Sequence, residues 1–157
     1  MRIKSRGKYY DELNVGDIYE HAITRTVTET DNLLFTTLTH NPQPLHLDME
    51  FSKSSINGTT IFNNFFTMAF VVGASVSDLT LFTTIAHLNY EEITNPVPVR
   101  IGDTLRAETE IIAKNDEETE NDCGKVWFEH RGYNQNGELV CKIKRVALML
   151  KSEHAIV

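Results

Sequence analysis

Hydrophobic positions follow two different periods along this chain. From Phe62 to Leu79, the residues Phe65, Phe66, Met68, Ala69, Phe70, Val71, Val72, Ala74 and Val76 leave almost no polar stripe at helical period, which predicts a helix buried on nearly all sides. The uncharged stretch around it, residues 54–77, holds Asn57, Asn63, Asn64 and several Ser and Thr, so it is too polar to cross a bilayer. The second half switches to period two. Over residues 104–112, Leu105, Ala107, Thr109 and Ile111 alternate with Arg106, Glu108 and Glu110, the pattern of a half-buried strand. A second strand is predicted over 125–133 and, across the tight-turn pair Asn136-Gly137, a last one over 139–150. Residues 18–28 and 84–93 are weaker strand candidates, and Asp31 reads as the start of a short helix. The acidic tract 115–124 reads as a solvated hairpin loop without function. A strand, a short helix, a proline loop, a long buried helix and four strands give an α+β fold, a curved antiparallel sheet wrapped around one helix.

Composition narrows the setting. The 157 residues, without internal repeat or linker, are expected to form one domain over 1–157. A net charge of −7 and a pI near 5.3 argue against nucleic acid or an anionic membrane as partner. Two cysteines, Cys123 and Cys141, make no disulfide framework, and Met-Arg-Ile-Lys-Ser-Arg at the start has no apolar run behind its charges. The expectation is a cytoplasmic protein with reduced thiols.

Candidate chemistry concentrates in residues 41–48, Asn-Pro-Gln-Pro-Leu-His-Leu-Asp. Two prolines in four residues predict a stiff, non-helical turn that presents Asn41, Gln43 and His46. His46 is the candidate acid or base. His21, His87 and His130 fall in strand-like segments, His154 in a tail and His40 beside the loop, and no spacing suits a metal, so none is expected. Asp48 has two possible uses, orienting His46 or capping a short helix that begins at Met49.

The order of elements and four phrases carry a resemblance. Asn-Pro-Gln-Pro-Leu-His-Leu-Asp, Phe-Thr-Met-Ala-Phe-Val-Val-Gly, Ile-Gly-Asp-Thr-Leu-Arg-Ala-Glu-Thr-Glu and Arg-Gly-Tyr-Asn-Gln-Asn-Gly-Glu-Leu-Val-Cys resemble the MaoC-like branch of hotdog-fold hydratases. Within it, the similarity is to the subgroup of mesaconyl-CoA (β-methylmalyl-CoA) and itaconyl-CoA hydratases, over about residues 8–151. The resemblance implies a single hotdog fold and a homodimer or higher homo-oligomer with active sites near the subunit interface. It implies a hydro-lyase that adds water across the α,β double bond of an enoyl-CoA thioester, with the coenzyme A ester as substrate and no separate cofactor. The subgroup points to a branched dicarboxylic acyl group, such as mesaconyl or itaconyl.

The resembling family typically carries Asp-x-Asn-Pro-x-His, so alignment on His46 puts Asn41 at the place of the Asp and Gln43 at that of the Asn. An amide has no useful basicity near neutral pH, which leaves His46 to act alone or moves the carboxylate's task elsewhere. The mesaconyl-type subgroup resembles this chain at both positions. A substrate that brings its own carboxylate would be repelled by a second one in the site, and Asn41 can hold water through its carbonyl without adding charge. For the developing enolate, the resemblance implies backbone N–H groups at the helix start, here Asn64 and Asn63, where the family often has His-Gly; the alternative is that both asparagines only cap the helix. A simple (R)-specific short-chain enoyl-CoA hydratase and a non-catalytic acyl-CoA binder are the rival readings. Thioesterase chemistry is disfavoured, since the only acid near the helix, Asp78, is at its far end. Arg100, Arg106, Arg131 and Arg145 are the candidates for clamping a distal carboxylate.

Overall fold

The period-two segments form long antiparallel strands in the computed structural model, which describes residues 5–117, 119 and 122–155. β1 (Ile18–Glu20), β2 (Arg25–Thr26), β3 (Thr84–Thr94), β4 (Thr104–Asn115), β5 (Cys123–Tyr133) and β6 (Leu139–Leu150) make one curved sheet. Its order is β1-β4-β5-β6-β3, with β2 also paired to β4, so β3 sits on the edge beside β6 and not beside the strand that follows it. In β4 the predicted alternation holds: Leu105, Ala107, Thr109 and Ile111 are buried. On the outer face, Arg131 meets Glu108, Glu110 and Glu129 at 2.8–3.1 Å. Asn134 organises the β5–β6 turn by accepting from the N–H groups of Asn136 and Glu138, and Gly137 takes φ +77°, which its missing Cβ allows. Residues 118, 120 and 121 of the acidic tract lie outside the described residues, as do 1–4 at the start and 156–157 at the end.

Among the described residues the α-helices are α1 (Glu29–Leu38), α2 (Pro44–Leu47), α3 (Met49–Ser54) and α4 (Asn64–Ala74), the last continued by a π-helical turn at Val76–Thr80. The sheet curves around α4, but the helix is shorter than the apolar stretch and is not buried on all sides. Thr67, Val71 and Ala74 face the sheet, whereas Phe65, Ala69 and Gly73 stand exposed. A single sheet covers only one side of a helix, so an all-round apolar pattern here leaves one face open. No helix among the described residues is long and apolar enough to cross a membrane.

Three further expectations need correction. The strand predicted over 18–28 is broken between β1 and β2, where His21 turns inward. His154 lies in a short 3-10 turn at Ser152–His154, not in a frayed tail, because Asp11 accepts hydrogen bonds from the Ser152 N–H and hydroxyl. The proline loop is also partly helical, as described below.

The core has two apolar clusters. One gathers Val27, Phe62, Val71, Ala74, Val99, Leu105, Ala107, Val140, Cys141 and Ile143; the other gathers Leu13, Leu79, Ile111, Val126, Phe128, Ala147 and Met149. Between them a polar layer crosses the inner face of three strands through Thr109, His130 and Arg145.

Candidate active site

The loop that carries His46 is built on α1. A capping box opens this helix, with the Asp31 N–H donating to Thr28 Oγ1 at 3.2 Å and the Thr28 N–H to the Asp31 carboxylate at 3.0 Å. The buried face of α1 is polar, because Asn32 and Thr36, one turn apart, point inward while Leu33, Leu34 and Leu38 are exposed. After α1 the chain reverses at His40, with φ +53°, and the Asn41 N–H donates to the Thr36 carbonyl at 3.0 Å.

Asn41 and Gln43 shape the loop itself. The Asn41 side-chain oxygen accepts from the Gln43 N–H at 3.1 Å, which orients the amide and leaves its NH2 without an acceptor among the described residues. Gln43 is the N-cap of α2, its side-chain oxygen facing the Leu45 N–H at 3.5 Å. Pro44 occupies the first turn of α2, where a missing N–H loses no hydrogen bond and the fixed φ suits a helix. His46 therefore stands on one helical turn, which corrects the non-helical turn expected from the two prolines. Asp48 caps α3 by accepting from the N–H groups of Glu50 and Phe51 at 2.9 and 3.0 Å. It does not touch His46.

The imidazole is instead oriented by backbone. His46 Nδ1 lies 3.0 Å from the Ile61 carbonyl, an acceptor only, so Nδ1 carries a proton and, in the neutral imidazole, the lone pair is on Nε2. The Ile61 N–H returns a bond to the Leu45 carbonyl at 3.1 Å. Asn32 then joins the loop to the start of α4. Its NH2 donates to the His46 carbonyl at 2.9 Å, and its oxygen accepts from the Asn63 N–H at 2.9 Å.

Asn63 is the N-cap of α4. Its side-chain oxygen accepts from the Phe65 N–H at 3.0 Å and its NH2 donates to Thr36 Oγ1 at 3.0 Å. The Phe66 and Thr67 N–H groups both reach the Asn63 carbonyl, at 3.1 and 3.3 Å. The Asn64 N–H has no acceptor among the described residues, and Asn64 itself is exposed. The first turn thus offers one uncommitted donor at the positive end of the helix dipole.

His46 and the N-terminus of α4 are therefore brought together, while the side-chain bonds of Asn41, Gln43 and Asp48 stay within the loop and its short helices. Sequence reasoning missed Asn32, Thr36 and Ile61. The readable signal was the inverted pattern of α1, where the leucines face out.

Comparison with known proteins identifies the family and the fold. Residues 12–131 match the family described as MaoC like domain. The chain is 30% identical over 149 residues to mesaconyl-CoA hydratase of Cereibacter sphaeroides, covering 95% of this chain and 43% of that protein. It spans less than half the length of the curated relatives it matches. Among solved structures, a monoamine oxidase regulatory protein from Archaeoglobus superposes with TM-score 0.85 at 33% identity, covering 96% of this chain and 99% of the other. A conserved hypothetical protein of Mycobacterium tuberculosis with a double hotdog fold superposes with TM-score 0.84 at 19% identity, over 97% of this chain and 47% of that one. The curved sheet around α4 is the hotdog fold.

Proposed function

The chain belongs to the MaoC-like domain family, and from that premise we propose that it adds water across the α,β double bond of an enoyl-CoA thioester. The observation that carries this is His46, held through Nδ1 on the Ile61 carbonyl and tied by Asn32 to the cap of α4. His46 Nε2 takes a proton from water as the oxygen attacks the β-carbon. Negative charge then develops on the thioester oxygen, which accepts from the Asn64 N–H and gains from the helix dipole. The imidazolium returns the proton to the α-carbon, so one residue serves as base and then acid, and no net proton is consumed.

Asn41 takes part as a donor. Its carbonyl already accepts from the Gln43 N–H, and its NH2, without an acceptor among the described residues, is suited to hold the oxygen of the attacking water without adding negative charge. That favours a substrate with its own carboxylate, a branched dicarboxylic acyl thioester of the mesaconyl or itaconyl type, because two carboxylates at close range would repel. The relative named mesaconyl-CoA hydratase supports the same substrate class.

The open side of α4 supports assembly as a homodimer. Exposed Phe65, Ala69 and Gly73 border a cleft of about 330 Å³ whose other wall is Tyr90 and Ile143. The edge strand β3 beside it exposes Ile85, Leu88, Tyr90 and Ile93. An apolar helix stripe beside an unpaired edge strand fits a self-complementary contact. The double-hotdog relative, of which this chain covers 47%, carries two such units in one chain; here a second copy supplies the other.

Steady-state loss of the enoyl thioester absorbance with crotonyl-CoA and mesaconyl-CoA tests the activity. Turnover of either supports the hydratase, with mesaconyl-CoA preferred. Measurable affinity for both esters without turnover of any enoyl thioester would replace it with the non-catalytic binder.

A further inference from the structure

The polar layer inside the core ends in a cation that, among the described residues, has no anion beside it. Arg145, on the inner face of β6, is 7% exposed. Its Nε donates to His130 Nε2 at 3.1 Å and its guanidinium lies over the Phe128 ring, while its buried Nη2 donates to nothing among the described residues. Acceptance at Nε2 places the His130 proton on Nδ1, which donates to Thr109 Oγ1 at 2.7 Å. The Thr109 hydroxyl donates to His21 Nε2 at 2.8 Å, and His21 Nδ1–H donates to the Asp78 carboxylate at 2.8 Å. The chain of bonds runs one way, from Arg145 to Asp78, and fixes the guanidinium in place.

The other arginines considered for a distal carboxylate are already engaged. Arg131 meets three carboxylates, Arg100 donates to the Asn57 carbonyl, and Arg106 lies over Tyr133 near Glu108. A buried guanidinium with an unused N–H group and no counter-ion is costly unless something anionic reaches it.

Its position decides which substrate it can serve. Val71 packs against Gly132 and Cys141, and Leu79 joins the cluster of Ala147 and Met149, so Arg145 stands level with the C-terminal end of α4. Asn64 is at the other end of this 11-residue helix, which is about 15 Å long at the rise of an α-helix. In a four-carbon dicarboxylic thioester the two carbonyl ends are only about 5 Å apart by ordinary bond lengths. Arg145 of the same chain is out of reach. A two-fold axis crossing the open face of α4 at right angles, beside the edge of β3, would pair each helix with an antiparallel copy and so set the N-terminus of one beside the C-terminal end of the other.

We propose that Arg145 of the partner subunit binds the distal carboxylate of the substrate, so that each site combines His46 and Asn64 of one chain with an arginine of the other. This rests on the hydratase reading above and gives the site its selectivity. Tyr90, the cross-strand neighbour of Arg145, lines the cleft beside α4, where the carboxylate would enter.

The test begins with wild-type and Arg145→Met proteins assayed on mesaconyl-CoA and crotonyl-CoA, with Arg145→Lys as a charge-keeping variant and gel filtration and thermal melting to check folding. The ratio of kcat/KM for the dicarboxylic over the plain thioester is expected to fall at least tenfold in Arg145→Met and less in Arg145→Lys. Co-expressed, differently tagged His46→Ala and Arg145→Met chains then locate the arginine. If it acts across the interface, the mixed dimer holds one intact site and recovers about half the wild-type turnover of mesaconyl-CoA with wild-type selectivity. Selectivity that stays at the Arg145→Met value in the mixed dimer overturns the sharing, and an unchanged ratio in folded Arg145→Met overturns the assignment. Wild-type protein inactive on both thioesters would instead remove the hydratase reading beneath it.

Discussion

His46 Nδ1 and the Ile61 carbonyl oxygen lie 3.0 Å apart, and that contact decides which imidazole nitrogen is free to do chemistry. An asparagine at position 46 can still donate to Ile61 but offers no basic nitrogen. His46→Asn is therefore expected to keep the fold and lower kcat for enoyl-CoA hydration by about 100- to 10,000-fold, the usual range for a lost general base. Circular dichroism beside the absorbance assay checks both halves, and kcat within a few-fold of wild type would remove His46 from the reaction.

Among the described residues, Asn32 is the single side chain that bonds both the His46 loop and the cap of α4. Asn32→Leu keeps the volume but strands the Asn63 N–H and the His46 carbonyl, each at a cost of about 1–3 kcal/mol. A lower urea midpoint is expected, together with a fall in kcat larger than the change in KM, because base and oxyanion donor would no longer share one support. Equal midpoints for mutant and wild type would show that water replaces the tie.

Much of this was legible in the chain, but unevenly. Period two in residues 104–112 gave the strand and its buried face, because a strand's side chains have only two directions. Helical period also found α4, yet the pattern carries no information on who covers each face, so the open stripe at Phe65, Ala69 and Gly73 was unreadable. Pairing of β3 with β6 depends on a chain reversal far along the sequence and has no local mark. At the site, His46, Asp48 and Asn63 were visible as residue types with known local uses. Asn32 and the carbonyl of Ile61 were not, since their roles exist only when α1, α2 and α4 meet. The relay through His21 and His130 was hidden for the same reason: each histidine looks like a stray polar residue in a strand until Thr109 stands between them.

The buried layer makes stability depend on pH. Burial, with the charge of Arg145, pushes the His130 imidazole well below its ordinary range, so it stays neutral in the folded protein. In the unfolded chain it protonates near about 6.5. Below that pH the unfolded state binds the extra proton, so unfolding free energy rises with pH and the contribution of neutral His130 is lost on acidification, by about 1.4 kcal/mol per pH unit. Urea unfolding at pH 7.5, 6.5 and 5.5 should show little change over the upper step and a clear loss over the lower one. A stability independent of pH down to 5.5 would contradict a neutral buried His130.

Cys141 lies in the core beneath α4, and burial pushes its thiol up to about 11. The thiolate is the reactive form, so native Cys141 should resist alkylation at pH 8 and become labelled only in denaturant. Peptide mapping after iodoacetamide treatment, with and without urea, gives the answer; rapid native labelling would mean that the cleft side of the core opens readily.

Asn41→Asp separates charge from geometry at the loop. The new carboxylate can accept the same bond from the Gln43 N–H, so the loop should hold its shape, while the site gains one negative charge. For crotonyl-CoA that charge has no partner to repel and restores a second group able to accept a proton, so kcat/KM should rise. For mesaconyl-CoA the substrate carboxylate opposes it, and KM should rise instead. The ratio of the two specificity constants is expected to move toward crotonyl-CoA by about tenfold, which corresponds to about 1.4 kcal/mol of repulsion. Salt should weaken the effect only where solvent reaches the pair. An unchanged ratio would mean that the amide at position 41 is there for the turn it makes with Gln43, and that dicarboxylic preference has to come from elsewhere in the site.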